Sequence, residues 1–145
     1  MKGVRTFMSH TEEQDEELLR NAAKAIQKMN EKEAKAKSRD IAFMKFIGKY
    51  GNWSQMDICI EEMSELTKAL LKYKRGFNSA CGLGSPSKIT QEELRELEDA
   101  VVDEIADVRI MCRQMELIFL MGDRVEERID FKIERQLRRM EGATV

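Results

Sequence analysis

Five acidic residues stand at spacings that could do chemistry. Glu61, Glu62 and Glu65 lie close together in the otherwise apolar segment "ICIEEMSELTKALLKYKRG" at 58–76, and Glu104 and Asp107 repeat the same three-residue step in "VVDEIADVRIM". Residues three apart share a helix face, so each pair, Glu62/Glu65 and Glu104/Asp107, aims two carboxylates the same way. At about 100° per residue, Met56, Cys59, Met63, Leu66, Leu70 and Tyr73 form an apolar arc. Glu62 borders that arc, with Glu65 and Glu61 further round. Glu104 is the more unusual acid. Leu97, Ala100, Val101, Ile105, Val108, Met111, Cys112 and Met115 fall on both sides of it, which puts Glu104 inside an apolar stripe and Asp107 at the stripe's edge.

A carboxylate in a helix–helix seam costs several kcal/mol unless a basic partner, a proton or a metal compensates it. Neither core face offers an inward Lys or Arg. If the two helices face each other, four carboxylates converge, and an all-oxygen donor set suits Mg²⁺ or Mn²⁺. Four acids, or five with Glu61, carry more charge than a single divalent ion offsets, so more than one ion and a bridging polyphosphate complete the site. Two blander readings stand beside this one. The acids could form a solvated edge with Glu65 paired to Lys68 or Lys72, or a structural salt bridge.

A second feature accompanies the acids. In "DRVEERIDFKIERQLRRM", Arg128, Lys132, Arg135 and Arg139 recur along one helix face beside the apolar stripe Val125, Ile129, Ile133, Leu137 and Met140. The stripe is expected to pack on the same bundle, leaving the basic row at its edge. There it could neutralise phosphate oxygens or be a solvated face paired with Glu126, Glu127 and Glu134.

The elements that must position these residues read as helices. One proline, sparse glycine, 42% apolar and 36% charged residues in a 145-residue chain point to a single all-α domain, a bundle of four to five helices. Residues 1–38 form a lead-in and a charged N-terminal helix or arm, capped at Thr11, with the thin stripe Leu18, Leu19, Ala22, Ile26 and Met29. Residues 39–141 form the main domain. There a short helix, "RDIAFMKFIGKYG", is expected to pack Ile41, Phe43, Met44, Phe46 and Ile47 into the core and end at Gly48 and Gly51. The next helix should run from Asn52 to Arg75 and stop at Gly76. Loop 76–90 is rich in Gly and Ser, and Thr90 with Glu93 makes a capping box for a helix over 91–121. Gly122 and Asp123 should form a break and a new cap for the last helix.

Composition excludes several classes. His10 is the sole histidine, which removes most zinc sites, Ser-His-Asp triads and the E-x-x-H pairs of di-iron bundles. Cys59, Cys81 and Cys112 are an odd number without a C-x-x-C pair, fitting a reducing cytoplasm. A net charge of −2 gives no overall bias towards nucleic acid, and no run approaches a membrane span. Neither partner is expected.

The ordered set of motifs resembles the MazG-like nucleoside triphosphate pyrophosphohydrolases. "YGNWSQMDICIEEMSELTKALLKYKRG", with Tyr50, Gly51 and Gln55 ahead of the acids, is similar to that family's first motif helix. "EIADVRIM" is similar to its second, and "KIERQLRR" to its closing K-x-x-R segment. The likeness covers roughly 39–140. It implies an oligomeric all-α bundle, a homodimer or homotetramer, that hydrolyses nucleoside triphosphates to monophosphate and pyrophosphate with Mg²⁺, or Mn²⁺, more than one ion per site. Glu62, Glu65, Glu104 and Asp107 would be the metal ligands, and Glu61 would help order a further ion or the attacking water. Lys132, Arg135 and Arg139 would contact phosphate, with Lys68 a weaker candidate and Gln55 and Trp53 on the substrate side. Asn52 and Trp53 could stack on or hydrogen-bond a base. No covalent nucleophile is needed, in keeping with the histidine count.

Two departures stand out. The stretch 66–103 between the motifs is longer than is usual in the family, and the arm has no counterpart there. The competing reading is a helical interaction or regulatory protein that keeps the bundle without the chemistry.

Overall fold

A computed structural model describes residues 12–82 and 89–142, which are all-α. Four helices follow one another: α1 (Glu12–Tyr50), α2 (Asn52–Ala80), α3 (Gln91–Phe119) and α4 (Gly122–Met140). No strand occurs among the described residues, and no helix among them is long and apolar enough to cross a membrane. The chain divides into two compact units, Met1–Arg39 and Asp40–Val145.

The first unit holds the beginning of α1, where every residue from 16 to 39 is exposed. The expected cap at Thr11 lies outside the described residues. In place of a separate arm and short helix there is one helix through to Tyr50. Ser38 does not interrupt it, because serine lowers helix propensity only mildly and nothing nearby supplies a competing turn. Nor does Gly48. The helix ends where Gly51 adopts φ 86°, a left-handed backbone that glycine reaches without a Cβ penalty.

In the second unit, α2 and α3 pack along each other as an antiparallel hairpin. Tyr73 donates to Glu98 Oε1 at 3.3 Å near the closed end, while Glu62 lies by Glu104 and Asp107 further along. The inward residues of α2 are Gln55, Cys59, Glu62, Leu66, Ala69, Tyr73 and Gly76, at alternating steps of four and three. Those of α3 are Leu94, Leu97, Val101, Glu104, Val108, Met111 and Met115, at alternating steps of three and four. This is the spacing that keeps one seam facing a partner helix over many turns.

Gly76 does not stop α2, which continues to Ala80. It is buried, and a Cβ there would lie 2.6 Å from Leu97 Cδ1 and 3.0 Å from Ile89 Cδ1. The glycine serves close helix approach instead of termination. Loop residues 83–88 lie outside the described set. At the start of α3 the capping box forms as expected: the Glu93 N–H donates to Thr90 Oγ1 at 3.1 Å and the Thr90 N–H to Glu93 Oε2 at 2.7 Å. The α3–α4 break differs from expectation. Leu120 takes a left-handed φ of 51°, and α4 starts at Gly122 with no side-chain cap.

The core is small. Among the described residues its buried apolar members are Ile47, Cys59, Ala69 and Met111. Of the residues expected from "RDIAFMKFIGKYG", Ile47 is buried and Phe43 half-buried, whereas Ile41, Met44 and Phe46 stay exposed. The apolar stripe of α4 is likewise uncovered at Ile129, Ile133, Leu137 and Met140, although α4 does meet α3. Amphipathic spacing says which face seeks cover, and in the single chain that face of α4 finds little.

Candidate functional site

The heptad-like seam fixes where the acids go. Glu62 and Glu104 both occupy inward seam positions, midway along helices that face each other in opposite directions. Both are half-buried. Asp107, one turn beyond Glu104, is exposed at the rim. Each of these three residues offers a carboxylate oxygen, and the three oxygens lie within 4.8 Å of one another.

The electrostatics follow from that crowding. Burial pushes the Glu62 carboxyl above its ordinary range, and the charges of Asp107, Glu104, Glu61 and Glu65 push it further. Among the described residues no basic side chain bonds to any of the three carboxylates. The donor set is all oxygen, held at one side of a part-buried seam, and is of the kind a hard divalent cation takes. The residues present therefore fit the group that the sequence implied.

Glu65 does not join the three. Lys68 Nζ donates to Glu65 Oε1 at 2.7 Å, and this bond lowers the Glu65 pKa while raising that of Lys68. Of the four expected ligands the structure thus brings together Glu62, Glu104 and Asp107, with Glu65 one turn along and turned to its own lysine. The charges of Glu61 and Glu104 also act, more weakly, to raise the Lys68 pKa. Glu61 is exposed and acts on Glu62 through its charge.

The expected substrate contacts are dispersed. Trp53 is 80% exposed at the start of α2, next to Asn52. Gln55 is buried in the seam two turns before Glu62. Lys132 and Arg139 are exposed and Arg135 half-buried on α4, and no bond ties them to the acids among the described residues. Lys132 lines an open groove along α4 together with Arg124, Arg128 and Phe131, and the Arg128 guanidinium stacks 4.8 Å from the Phe131 ring centre.

Two polar features escape a reading of the sequence. Arg113 donates from Nε to Asp40 Oδ1 at 3.0 Å, from Nη2 to Asp40 Oδ2 at 2.6 Å, and from Nη1 to Glu116 Oε2 at 2.6 Å. Only the Arg113/Glu116 step carries a local signal, since Asp40 lies on α1. The second is Gln114, buried on α3. Its Nε2 donates to Met111 Sδ at 3.3 Å and its Oε1 has no partner among the described residues. Comparison with known proteins adds no relative: no family model, no curated protein and no solved structure matches the chain.

Proposed function

We propose that the protein is a divalent-cation-dependent nucleoside triphosphate pyrophosphohydrolase, cleaving a (d)NTP to the monophosphate and pyrophosphate. The observation that carries this reading is the convergence of Glu62, Glu104 and Asp107 in a part-buried seam, with no basic side chain among the described residues bonded to them. A hard divalent cation would relieve that repulsion. The order of the motifs, similar to that of MazG-like enzymes, supplies the substrate class.

On this reading Glu62, Glu104 and Asp107 would hold Mg²⁺ or Mn²⁺, with Glu65 as a further ligand once Lys68 turns from it to phosphate. Such ions would supply charge neutralisation on the triphosphate and a more acidic water. Glu61, exposed at the rim, orients that water and accepts its proton. The oxygen of water forms a bond to the α-phosphorus while the bond from the α-phosphorus to the bridging oxygen breaks. Charge then builds on the departing pyrophosphate. On this reading Lys68 and the α4 cations Lys132, Arg135 and Arg139 would neutralise it.

The uncovered apolar residues of α4 and of the hairpin's outer faces support self-association of this domain as a dimer or tetramer. The same observation favours a second reading, a helical interaction module without chemistry. One experiment separates the two. The protein is incubated with a panel of standard and modified (d)NTPs, with and without Mg²⁺. Monophosphate and pyrophosphate in equal amounts, in the Mg²⁺ lanes only, are the expected products. Their absence from every lane selects the interaction module.

A further inference from the structure

The last helix combines an uncovered apolar stripe with an unusual distribution of charge. At about 100° per residue, Val125, Ile129, Ile133, Leu137 and Met140 keep within about 60° of one line along α4. Val125 is half-buried, but Ile129, Ile133, Leu137 and Met140 are between 42% and 75% exposed. The charges divide on either side of that line. Asp123, Asp130, Glu134 and Glu141 lie along one flank, with Glu126 on the edge of the stripe beside them. Arg128, Lys132, Arg135 and Arg139 lie along the other.

That division works against the single helix. Steps of four residues set side chains one above another, and here they bring like charges together: Arg124, Arg128 and Lys132 in one row, Glu126, Asp130 and Glu134 in another. Among the described residues no ion pair involves a side chain of α4. The helix dipole does not account for the arrangement, since both signs occur in every turn, from Asp123 and Arg124 to Arg139 and Glu141. The sign changes around the helix, not along it.

We propose that α4 pairs with α4 of a second copy, the two helices running parallel about a two-fold axis that follows the stripe. This gives the self-association of the reading above a surface and an orientation, and it rests on that part of the reading alone. Half a turn about an axis parallel to the helix brings the acidic flank of each copy against the basic flank of the other, on both edges of the contact. Because every turn holds both signs, the match recurs at every turn and needs no particular residue-to-residue register. An antiparallel pair meets acid with acid and base with base over its whole length. The flanks stay open to solvent, so the pairing weakens as salt rises. Lys132 and Arg139 serve both this contact and the phosphate role proposed above, so the test leaves nucleotide out.

Full-length Ile129→Cys and Met140→Cys proteins are mixed in equal amounts at low salt and oxidised mildly, and the disulfides are mapped by mass spectrometry. Both positions are exposed, so neither substitution threatens the fold. Random encounter yields as much mixed 129–140 product as both same-site products together. The expected result is 129–129 and 140–140 disulfides at least several-fold in excess of the mixed one. Ile133→Glu in both chains should remove that excess. Asp130→Lys with Glu134→Lys, which turns the acidic flank basic, should lower it several-fold. A predominant 129–140 product overturns the parallel orientation. The random ratio, disulfides of Cys59, Cys81 and Cys112 alone, or an excess that survives either set of substitutions overturns the pairing. Failure here leaves the proposed hydrolysis standing, and absence of hydrolysis leaves the pairing untouched.

Discussion

Two groups of acids in the second unit are treated in opposite ways. Asp40 and Glu116 share Arg113 through charge-assisted bonds of 2.6–3.0 Å. The Arg113 hydrogen bond holds the Asp40 carboxyl below its usual range. Glu62, Glu104 and Asp107 crowd one another instead, and burial with neighbouring charge moves Glu62 the other way. A chain that supplies a fitted guanidinium a few turns away has the means to neutralise acids internally. Among the described residues no base bonds to the second cluster, and on the reading proposed above a cation takes that place.

The largest expected effect breaks the contrast at its centre. Glu104→Gln should lower (d)NTP hydrolysis by at least about a hundredfold and remove most of the Mg²⁺ affinity. The metal-free protein should melt no lower than the wild type, because a charge leaves the seam. Calorimetric titration with Mg²⁺ and a thermal melt in chelator check both halves. A metal-free protein less stable by several kcal/mol would make Glu104 a structural partner like Asp40 and would sink the site.

Arg113→Met should do the reverse. It should cost about 1–2 kcal/mol, since charged hydrogen bonds are lost at a half-exposed site, and leave Mg²⁺ binding intact. Denaturant unfolding beside the same titration measures this. Reduced Mg²⁺ affinity without reduced stability would mean that the two clusters are not separate.

Acid should sharpen the comparison. A carboxyl raised on folding, as in Glu62, contributes stability below the ordinary glutamate range and loses it as pH rises through its raised value. A lowered one, as in Asp40, contributes above the ordinary aspartate range and loses it as pH falls through its lowered value. In metal-free protein at neutral pH, Glu62→Gln should therefore melt at or above the wild type and Asp40→Asn below it. As pH falls the first gap should close early and the second only in stronger acid. Melts across a pH series would show the order, and simultaneous closure would break the contrast.

The smallest effect concerns Lys68, which is bound to Glu65 and feels the charge of Glu104. Lys68→Met should strengthen Mg²⁺ binding by about two- to fivefold, because a screened positive charge is removed. At the same time KM for the triphosphate should rise. Unchanged Mg²⁺ affinity would show that Lys68 stands too far from the acids to matter.

What the sequence made legible was what is local. The Thr90/Glu93 box needs only four consecutive residues and formed as read. The placing of Glu104 within an apolar stripe followed from helix periodicity alone, and it occupies a seam position. Periodicity also brought Glu62 to the border of its face, close to the inward place it holds. Tertiary approach decided the rest. Gly76 looks like a stop until Leu97 is set against it. The division expected between 38 and 39 disappears into one helix that runs through it. The turn of Glu65 to Lys68 depended on a rotamer choice that spacing leaves open, and the Asp40–Arg113 bond joins residues with no shared local pattern. The apolar stripe of α4 misled for another reason: it declares a need for cover without saying which chain provides it.

The alternating spacing of α2 and α3 has a consequence for the lifetime of the folded chain. Glu62 and Glu104 sit where two apolar knobs would otherwise interlock, so in the absence of a cation the hairpin has a weak link in mid-seam. On the reading proposed above, a bound ion bridges that link, and binding at a hundred times its dissociation constant would add about 2.7 kcal/mol to the closed form. Where opening and reclosing are fast, cleavage by a protease follows the open population. The abundance of this protein in a cell would then track the local supply of free magnesium, quite apart from any effect on turnover.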